Sequence, residues 1–442
     1  MNRRASKRRR GGIDFPTFHS GQREIVENLF NPDGMPFSVW RCGRRFGKTT
    51  ALESLGANEA RHGLQVGWFS PTYKLLAPSY KRILRLIKPA VEHSSKVDSL
   101  IETEAGGTVE FWTLSDEDAG RSRSYDLVII DEGSLVKRGL RQTWEQSIRP
   151  TLLDRRGKAI MAGTPKGIDP ENFFYEACND DQVTDPKMRL GFRQHHAPTS
   201  RNPTLDPVGV ANLQNEYPPL VYQQEFLAEF VDWSGAAFFS RDSMMGDDGL
   251  PVAWPDRCDM VFATIDTAVK TGKENDGTAV IYWAVNRAFG YPLIALDYDI
   301  VQIEGSLLEA WLPNVYRRLD ELATTCGARM GSLGTFIEDK ASGMILLQQA
   351  WRRNWRATAI DSVLTSVGKD ERAISVSGYV YQRKVKMSLN VHNKLVNYKG
   401  QTRNHFESQI FNYRVGQKDQ NDDILDCYTY GIAIALGDSG GM

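Results

Sequence analysis

The chain has 442 residues, with Lys+Arg 54 against Asp+Glu 55, 41% hydrophobic and 25% charged. At about 150 residues per domain, two substantial domains are expected, and the composition is that of a soluble globular protein. No stretch approaches the ~18 apolar residues of a membrane span. The five cysteines (Cys42, Cys178, Cys258, Cys326, Cys427) are scattered and lack CxxC spacing, which indicates neither a disulfide framework nor a zinc site and suits a reducing cytosol.

The net charge hides an uneven start. Six of the first ten residues are basic (Arg3, Arg4, Lys7, Arg8, Arg9, Arg10), and no apolar run follows that would make a signal peptide. This reads as a mobile arm, either contacting phosphates through counterion release or merely solvated. From Val39 to about Gly163, short apolar runs alternate with longer helix-like stretches, the pattern of βαβ units in a largely parallel sheet. The expected strands are Phe37 to Cys42, Val66 to Ser70, Val109 to Leu114, Leu127 to Asp131 and Ala159 to Gly163. Gly106-Gly107 reads as the turn of a hairpin between Leu100 to Glu104 and Val109 to Trp112. Asp180 to Asp206 is polar with little periodicity and is expected to be surface loop, including His195-His196. A second alternation begins at Met260. Met260 to Asp266, Thr278 to Val285 and Leu293 to Ile300 read as consecutive strands, Glu304 to Thr325 as a helix and Thr335 to Glu338 as a strand, the order of an RNase H-like fold. The expected organisation is an arm over 1–15, a P-loop ATPase domain over 16–230, a linker over 231–255, the RNase H-like domain over 256–436 and a tail over 437–442.

The run Arg41-Cys42-Gly43-Arg44-Arg45-Phe46-Gly47-Lys48-Thr49-Thr50 follows an apolar strand and opens a helix, as a P-loop requires. Backbone N–H groups and the helix N-terminus would hold phosphates of ATP, Lys48 would reach the β- and γ-phosphates, and Thr49 would ligate Mg²⁺. Cys42 stands where the first glycine is usual, with Gly43 one residue later. The strand Leu127-Val128-Ile129-Ile130 then ends in Asp131 and Glu132, where Asp131 suits the magnesium shell and Glu132 the polarisation of the attacking water. Gln22 lies upstream, as an adenine-edge contact or a solvated helix glutamine. Arg44, or Arg121 and Arg123, would supply an arginine finger or bind DNA phosphate. Thr164, in Gly163-Thr164-Pro165, would sense the γ-phosphate or simply end its strand.

Together these residues resemble the large terminase family of tailed bacteriophages. The likeness rests on Gly43-Arg44-Arg45-Phe46-Gly47-Lys48-Thr49, Ile129-Ile130-Asp131-Glu132 and Gly163-Thr164-Pro165, with Ser70-Pro71-Thr72 and Asn202-Pro203 adding to it. It covers roughly Phe18 to Leu436. The resemblance implies an ATPase fold of the additional-strand type and a homo-oligomeric ring, a pentamer, docked on the portal protein of the procapsid. It also implies a small terminase subunit that selects viral DNA, and residence in the host cell cytoplasm rather than in the mature virion.

The second half offers carboxylates where an RNase H-like nuclease wants them. Asp266 closes an apolar strand. Glu338-Asp339 follows another and precedes Lys340-Ala341-Ser342-Gly343, which resembles the second nuclease motif of terminases. Asp422, Asp423 and Asp426 open an apolar helix, where i, i+3 and i, i+4 spacings set Asp426 on a face with one or both neighbours. Such groups can bind two Mg²⁺ or Mn²⁺ ions and cut a phosphodiester. Singly, each also reads as helix or strand-end capping, and Asp422 and Asp423 are not separable by sequence. Asp276 is a weaker candidate. Trp351 and Trp355, with Arg352, Arg353 and Arg356, read as a helix face packed on the core or a DNA-touching stretch, and Tyr379 to Lys386 as a β-hairpin lining a groove. The reading is thus a motor that hydrolyses ATP to move double-stranded DNA into a procapsid and an endonuclease that cuts concatemers. A helicase-nuclease of repair or restriction, a packaging ATPase with an inactive nuclease, and a non-enzymatic scaffold are the alternatives.

Overall fold

The computed structural model describes residues 14–29, 36–116, 118–136, 138–233, 237–267, 277–287, 290–302, 308–340, 342–414 and 423–437. Most of the basic arm, Asp276, Glu304, Ala341, Asp422 and the last five residues lie outside them. The chain divides into two compact units, 1–213 with 219–232, and 214–218 with 233–442.

The first unit is built on a sheet whose eight described strands are β1 (Phe37–Cys42), β2 (Gln65–Ser70), β3 (Val91–Ser95), β4 (Leu100–Thr103), β5 (Thr108–Thr113), β6 (Leu127–Ile130), β7 (Lys158–Gly163) and β8 (Phe192–Ala197), in the order β3-β4-β5-β2-β6-β7-β1-β8. Pairing is parallel from β5 through β8, and the β3-β4-β5 meander is antiparallel. Both faces are covered, so β6 (Leu-Val-Ile-Ile) is apolar and buried at every position rather than at alternate ones. In β6, Leu127 and Ile129 join Trp40, Val66 and Trp68 in one core layer, while Val128 and Ile130 join Val39, Phe69 and Trp144 in the other. Helices α1 (Ser20–Leu29), α2 (Lys48–Arg61) and α3 (Tyr73–Leu86) supply side chains to the first layer. The helix α4 (Pro219–Glu225) buries Val221, Gln224 and Glu225.

The expected strands are all present within a residue or two, and Gly106 turns the β4-β5 hairpin at positive φ. The expectation of a plain loop over Asp180 to Asp206 is corrected. It contains β8, an edge strand on β1, and both His195 and His196 lie on it. Only its ends, Phe192 and Ala197, are buried and apolar, and the polar run Arg193-Gln194-His195-His196 between them shows neither an apolar block nor an alternation, which hides it. Asp180 is itself buried and accepts the N–H groups of Leu190, Gly191 and Phe192 at 2.7 to 2.8 Å, fixing the entry to β8.

The second unit holds β9 (Met260–Asp266), β10 (Thr278–Val285), β11 (Leu293–Val301), β12 (Ser332–Ile337), β13 (Ala357–Ala359) and β14 (Val385–Met387), in the order β13-β12-β9-β10-β11-β14. The strands β9-β10-β11 run antiparallel, and β12 then joins β9 in parallel. Its helices α5 (Leu308–Thr325) and α6 (Ser342–Arg352) bury Leu312, Val315, Leu319, Leu346, Leu347 and Ala350 against Val261, Ala263, Val280 and Ile294. The longer helices that follow are α7 (Lys369–Tyr381) and α8 (Asp423–Leu436). Thr264 of β9 donates to the Cys427 carbonyl of α8 at 2.9 Å and accepts the Trp283 indole N–H at 2.9 Å, so a hydroxyl buried in the sheet is satisfied twice.

Two more expectations are corrected here. Tyr379 to Lys386 is not a hairpin but the end of α7, a turn and the start of β14. Trp351 and Trp355 do not share a helix face, because α6 ends at Arg352. Trp351 stays 53% exposed, whereas Trp355 stacks on Tyr316 with centroids 4.5 Å apart. The asparagine at 354 takes positive φ, and this ends the helical register between them.

Gly431 lets α8 lie close to the sheet, since a Cβ there would come within 2.4 Å of the Trp283 ring. Gly431→Ala should therefore lower the unfolding free energy of this unit by about 1–3 kcal/mol through overpacking, despite alanine's better helix propensity. Gly368→Ala, where a Cβ meets nothing within 4 Å, should stay within about 0.5 kcal/mol. Urea denaturation midpoints of the two variants check this.

Candidate functional site

Three adjacent parallel strands, β6, β7 and β1, bring their C-terminal ends together. Crevices at such strand ends are where open α/β sheets bind ligands. The loop from β1 into α2 turns on Arg45 and Gly47, both at positive φ (62° and 97°), and buries Phe46 completely. At the end of β1, Cys42 is wholly buried and its thiol is pushed up to about 12 by burial, so it packs rather than reacts. Helix geometry leaves the N–H groups of Lys48, Thr49 and Thr50 ahead of the first intrahelical bond, from Ala51 N to Gly47 O at 3.1 Å.

Lys48 lies at the centre. Its ammonium meets Glu132 at 2.8 Å and the Thr164 hydroxyl at 3.4 Å, and Thr164 in turn donates to the Cys42 carbonyl at 3.0 Å. Burial works against the charge on Lys48, but Glu132 and Asp131 outweigh it and raise its pKa above the usual lysine value. Thr49 donates to the Asp131 carboxylate, with both oxygens at 3.3 Å. Burial, then the neighbouring Glu132, raises Asp131 to about 7 against the pull of Lys48. A carboxylate whose charge is so disfavoured, beside a threonine hydroxyl, is a donor set that fits a hard divalent cation. Glu132 takes a left-handed backbone (φ 57°) immediately after β6, an uncommon conformation for a non-glycine residue.

Gln22 does lie at this loop, but its amide is already engaged. It donates to the Gly47 carbonyl at 2.9 Å, while His19 bonds the Phe46 carbonyl at 2.9 Å and sets its ring edge-on to Phe46. The arginines separate clearly. Arg44 pairs with Glu225, Arg45 is exposed, Arg121 pairs with Asp118, and Arg123 pairs with Glu110 at 3.0 Å.

The outside of the loop is clasped by residues that sequence reasoning missed or gave no role. Gly43 N donates to Ala197 O at 2.9 Å, Arg44 N to Glu225 O at 2.7 Å, Thr199 Oγ1 to Arg44 O at 2.7 Å and Asn202 Nδ2 to Arg45 O at 2.8 Å. Gly43 admits no side chain here, since a Cβ would lie 2.5 Å from the Phe226 carbonyl. Asn202 belongs to the Asn202-Pro203 pair noted in the sequence. Glu225 sits 181 residues from Arg44, and no local pattern announces such a partner. Its carboxylate is 2% exposed and also meets Lys166 at 3.4 Å and the Gln224 amide at 2.9 Å. Burial alone would raise it, but Lys166 and Arg44, with hydrogen bonds from Gln224 and Arg44, bring it down to about 2.

In the second unit, Asp266 ends β9 and Glu338 follows the parallel neighbour β12. Asp426 stands in the first turn of α8. Burial, then Asp426 and Glu338, push Asp266 well above the usual carboxylate range, so the three acids interact across one site. Mutual repulsion of this kind fits a centre that gathers divalent cations on oxygen ligands. Gly343 permits the approach of α6, as a Cβ there would fall 1.8 Å from the Glu338 carbonyl. Yet Glu338 is paired with Lys340, and Asp426 is paired with Arg372 and, at 3.0 Å, with Lys369. Arg372 is buried, fixed by the Val367 carbonyl at 3.0 Å, the Thr429 hydroxyl at 3.1 Å and the Tyr430 ring at 4.2 Å. Among the described residues, no three His, Cys, Asp or Glu side chains meet tightly enough to hold a metal as they stand. Asp423 has its two oxygens engaged by Gly277 N at 2.9 Å and Tyr398 OH at 3.1 Å.

The fold thus defines a class: an α/β unit with a P-loop-type turn between β1 and α2, followed by a unit with an RNase H-like sheet order. No family model matches the chain. It is similar to the large terminase subunit of Thermus phage G20c, 26% identical over 243 residues, and to that of Thermus virus P23-45, 26% identical over 247 residues. Each alignment takes in 46% of this chain and 47% of the relative, so the chain spans about half the length of the curated relatives it matches. Among solved structures, the large terminase of a thermophilic bacteriophage superposes with a TM-score of 0.64 at 13% identity, covering 95% of this chain and 99% of that one. Structures of the same phage protein in complex with ADP and with ATP-gamma-S superpose equally well, each at 14% identity with a TM-score of 0.64, covering 95% and 94% of this chain and 100% and 99% of those. The family that the sequence resembles is therefore the one these comparisons find, and the fold is that of a large terminase.

The Glu225 pairings carry a pH dependence. Its folded pKa of about 2 lies below the ordinary 4.5, so the stabilisation is complete above 4.5 and is lost as the pH falls towards 2. Wild type should be more stable than Glu225→Gln at neutral pH, with the gap closing between pH 4.5 and 2, as read by urea denaturation at several pH values.

Proposed function

We propose that this chain hydrolyses ATP in its first unit to drive double-stranded DNA into a procapsid, and cuts that DNA with its second. The observation that carries the reading is the convergence on Lys48: Glu132 at 2.8 Å and Thr164 at 3.4 Å around one ammonium, with Thr49 and Asp131 alongside. Gly43 and Arg44 anchor the loop through their N–H groups, while Arg45, Gly47 and the N–H groups of Lys48, Thr49 and Thr50 cradle the phosphates. Lys48 neutralises the β- and γ-phosphates, and Glu132 orients the attacking water. Thr49 and Asp131 hold Mg²⁺, which supplies charge neutralisation at the phosphate oxygens. Arg44 stabilises charge on the transferred phosphoryl group, and Thr164 registers its presence. Gln22 acts by buttressing Gly47 rather than by reading the base.

In the second unit Asp266, Glu338 and Asp426 hold Mg²⁺ or Mn²⁺, whose chemistry there is activation of water and stabilisation of the leaving oxygen. Asp423 acts by positioning α8. The terminase likeness supports a ring on the portal protein, with a small terminase subunit choosing the DNA, in the host cell cytoplasm. The ion pairs at Asp426 favour, as a second reading, a packaging ATPase without cutting activity.

Turnover assays on purified variants test both halves. Glu132→Gln should lose at least about a hundredfold in ATP hydrolysis, the scale of a lost general base, while retaining metal-dependent plasmid cleavage. Asp266→Asn should do the reverse. Plasmid left intact by wild type at every Mg²⁺ or Mn²⁺ concentration, with hydrolysis preserved, would leave the second reading standing.

A further inference from the structure

Glu225 has no place in the hydrolysis chemistry, yet its carboxylate beside the P-loop meets three side chains, Arg44, Lys166 and Gln224. It contacts Arg44 twice, through its side chain to the guanidinium and through its backbone carbonyl to Arg44 N at 2.7 Å. Its other oxygen takes Lys166 at 3.4 Å and Gln224 at 2.9 Å. Lys166 lies two residues beyond Thr164, whose hydroxyl bonds both Lys48 and Cys42 O. The acid therefore joins the arginine inside the loop to the segment leaving β7. Arg44 remains 47% exposed while Glu225 is 2% exposed, so the pair joins a solvent-facing guanidinium to a buried carboxylate.

We propose that Glu225 is a positioning residue that competes with the terminal phosphate of the nucleotide for Arg44, with Lys166 as the cation that takes over the carboxylate when Arg44 leaves. This rests on the nucleotide reading of the first unit. Binding of a nucleoside triphosphate then requires Arg44 to leave Glu225, whereas a diphosphate offers no group to draw it away. The affinity for the triphosphate alone is reduced by the fraction of molecules in which Arg44 is held back. Lys166 lowers the cost of the exchange, because a buried carboxylate left without a cation is strongly disfavoured. The exchange shifts the ion pair towards Lys166, and so passes the nucleotide state to the loop after β7 and to α4.

The test is equilibrium binding of ATP-gamma-S and of ADP, each with Mg²⁺, to wild type, Glu225→Gln, Arg44→Ala, Lys166→Met and the Arg44→Ala/Glu225→Gln double variant. If Arg44 rests on Glu225 in about nine of ten molecules, Glu225→Gln tightens ATP-gamma-S about tenfold and leaves ADP within about twofold. Lys166→Met moves the same ratio the other way, weakening ATP-gamma-S about threefold or more. In the Arg44→Ala background, Glu225→Gln should change neither ligand's affinity. Equal shifts for the two ligands, or a double variant whose effects simply add, overturn the competition while leaving the nucleotide site intact. Failure of wild type to bind either ligand removes the nucleotide reading itself, and the competition with it. Should Glu225→Gln not fold, the opposite sign expected for Lys166→Met decides alone, and an unchanged or tighter ATP-gamma-S affinity there counts against the proposal.

Discussion

The first unit depends on keeping a positive charge on Lys48 where its side chain is only 12% exposed. A buried ammonium is stable only if carboxylates and dipoles surround it. Glu132 and Asp131 do this from the end of β6, Thr164 from the end of β7, and the P-loop from the end of β1. These come from three strands whose adjacency is set by the β6-β7-β1 order, so the charge arrangement is a consequence of sheet topology. The strands in turn depend on apolar cover on both faces, which explains why β6 is Leu-Val-Ile-Ile without a break before Asp131 and Glu132.

Around that centre, the backbone of the loop is held from outside. The carbonyls of Arg44 and Arg45 go to Thr199 and Asn202, and the N–H groups of Gly43 and Arg44 go to Ala197 and Glu225. With those groups spent on the scaffold, the N–H groups of the first turn of α2 lie ahead of the first intrahelical bond, from Ala51 N to Gly47 O. The second unit shows a related solution with different charges. Asp266 is surrounded by other carboxylates, and Lys340, Lys369 and Arg372 hold two of them. Repulsion is thus moderated by fixed cations, and divalent ions would have to share or displace them.

Much of this was legible in the sequence because it is local. The P-loop, the acidic end of β6, the Thr164 turn and the strands β1, β2, β4 to β7 and β9 to β12 each lie within one short run of residues whose pattern reports its own structure. Edge strand β8 was not, because four polar residues, Arg193 to His196, separate its two buried apolar ends and leave no strand period to read. The pairs Arg44–Glu225 and Asp426–Arg372 were not legible either, since their partners lie 181 and 54 residues apart and only the fold brings them together. Misreading Trp351 and Trp355 as one helix face has a simple cause: spacing of four says nothing about whether the helix continues, and Asn354 ends it.

The account stands most directly on where the phosphates bind. Calorimetric titration of wild type and Lys48→Ala with Mg²⁺ and ATP-gamma-S measures this. The account predicts one site per chain in wild type and a loss of at least about thirtyfold in the variant, the scale of a charged contact worth roughly 2 kcal/mol or more. Unchanged affinity in Lys48→Ala would place the nucleotide elsewhere and contradict it.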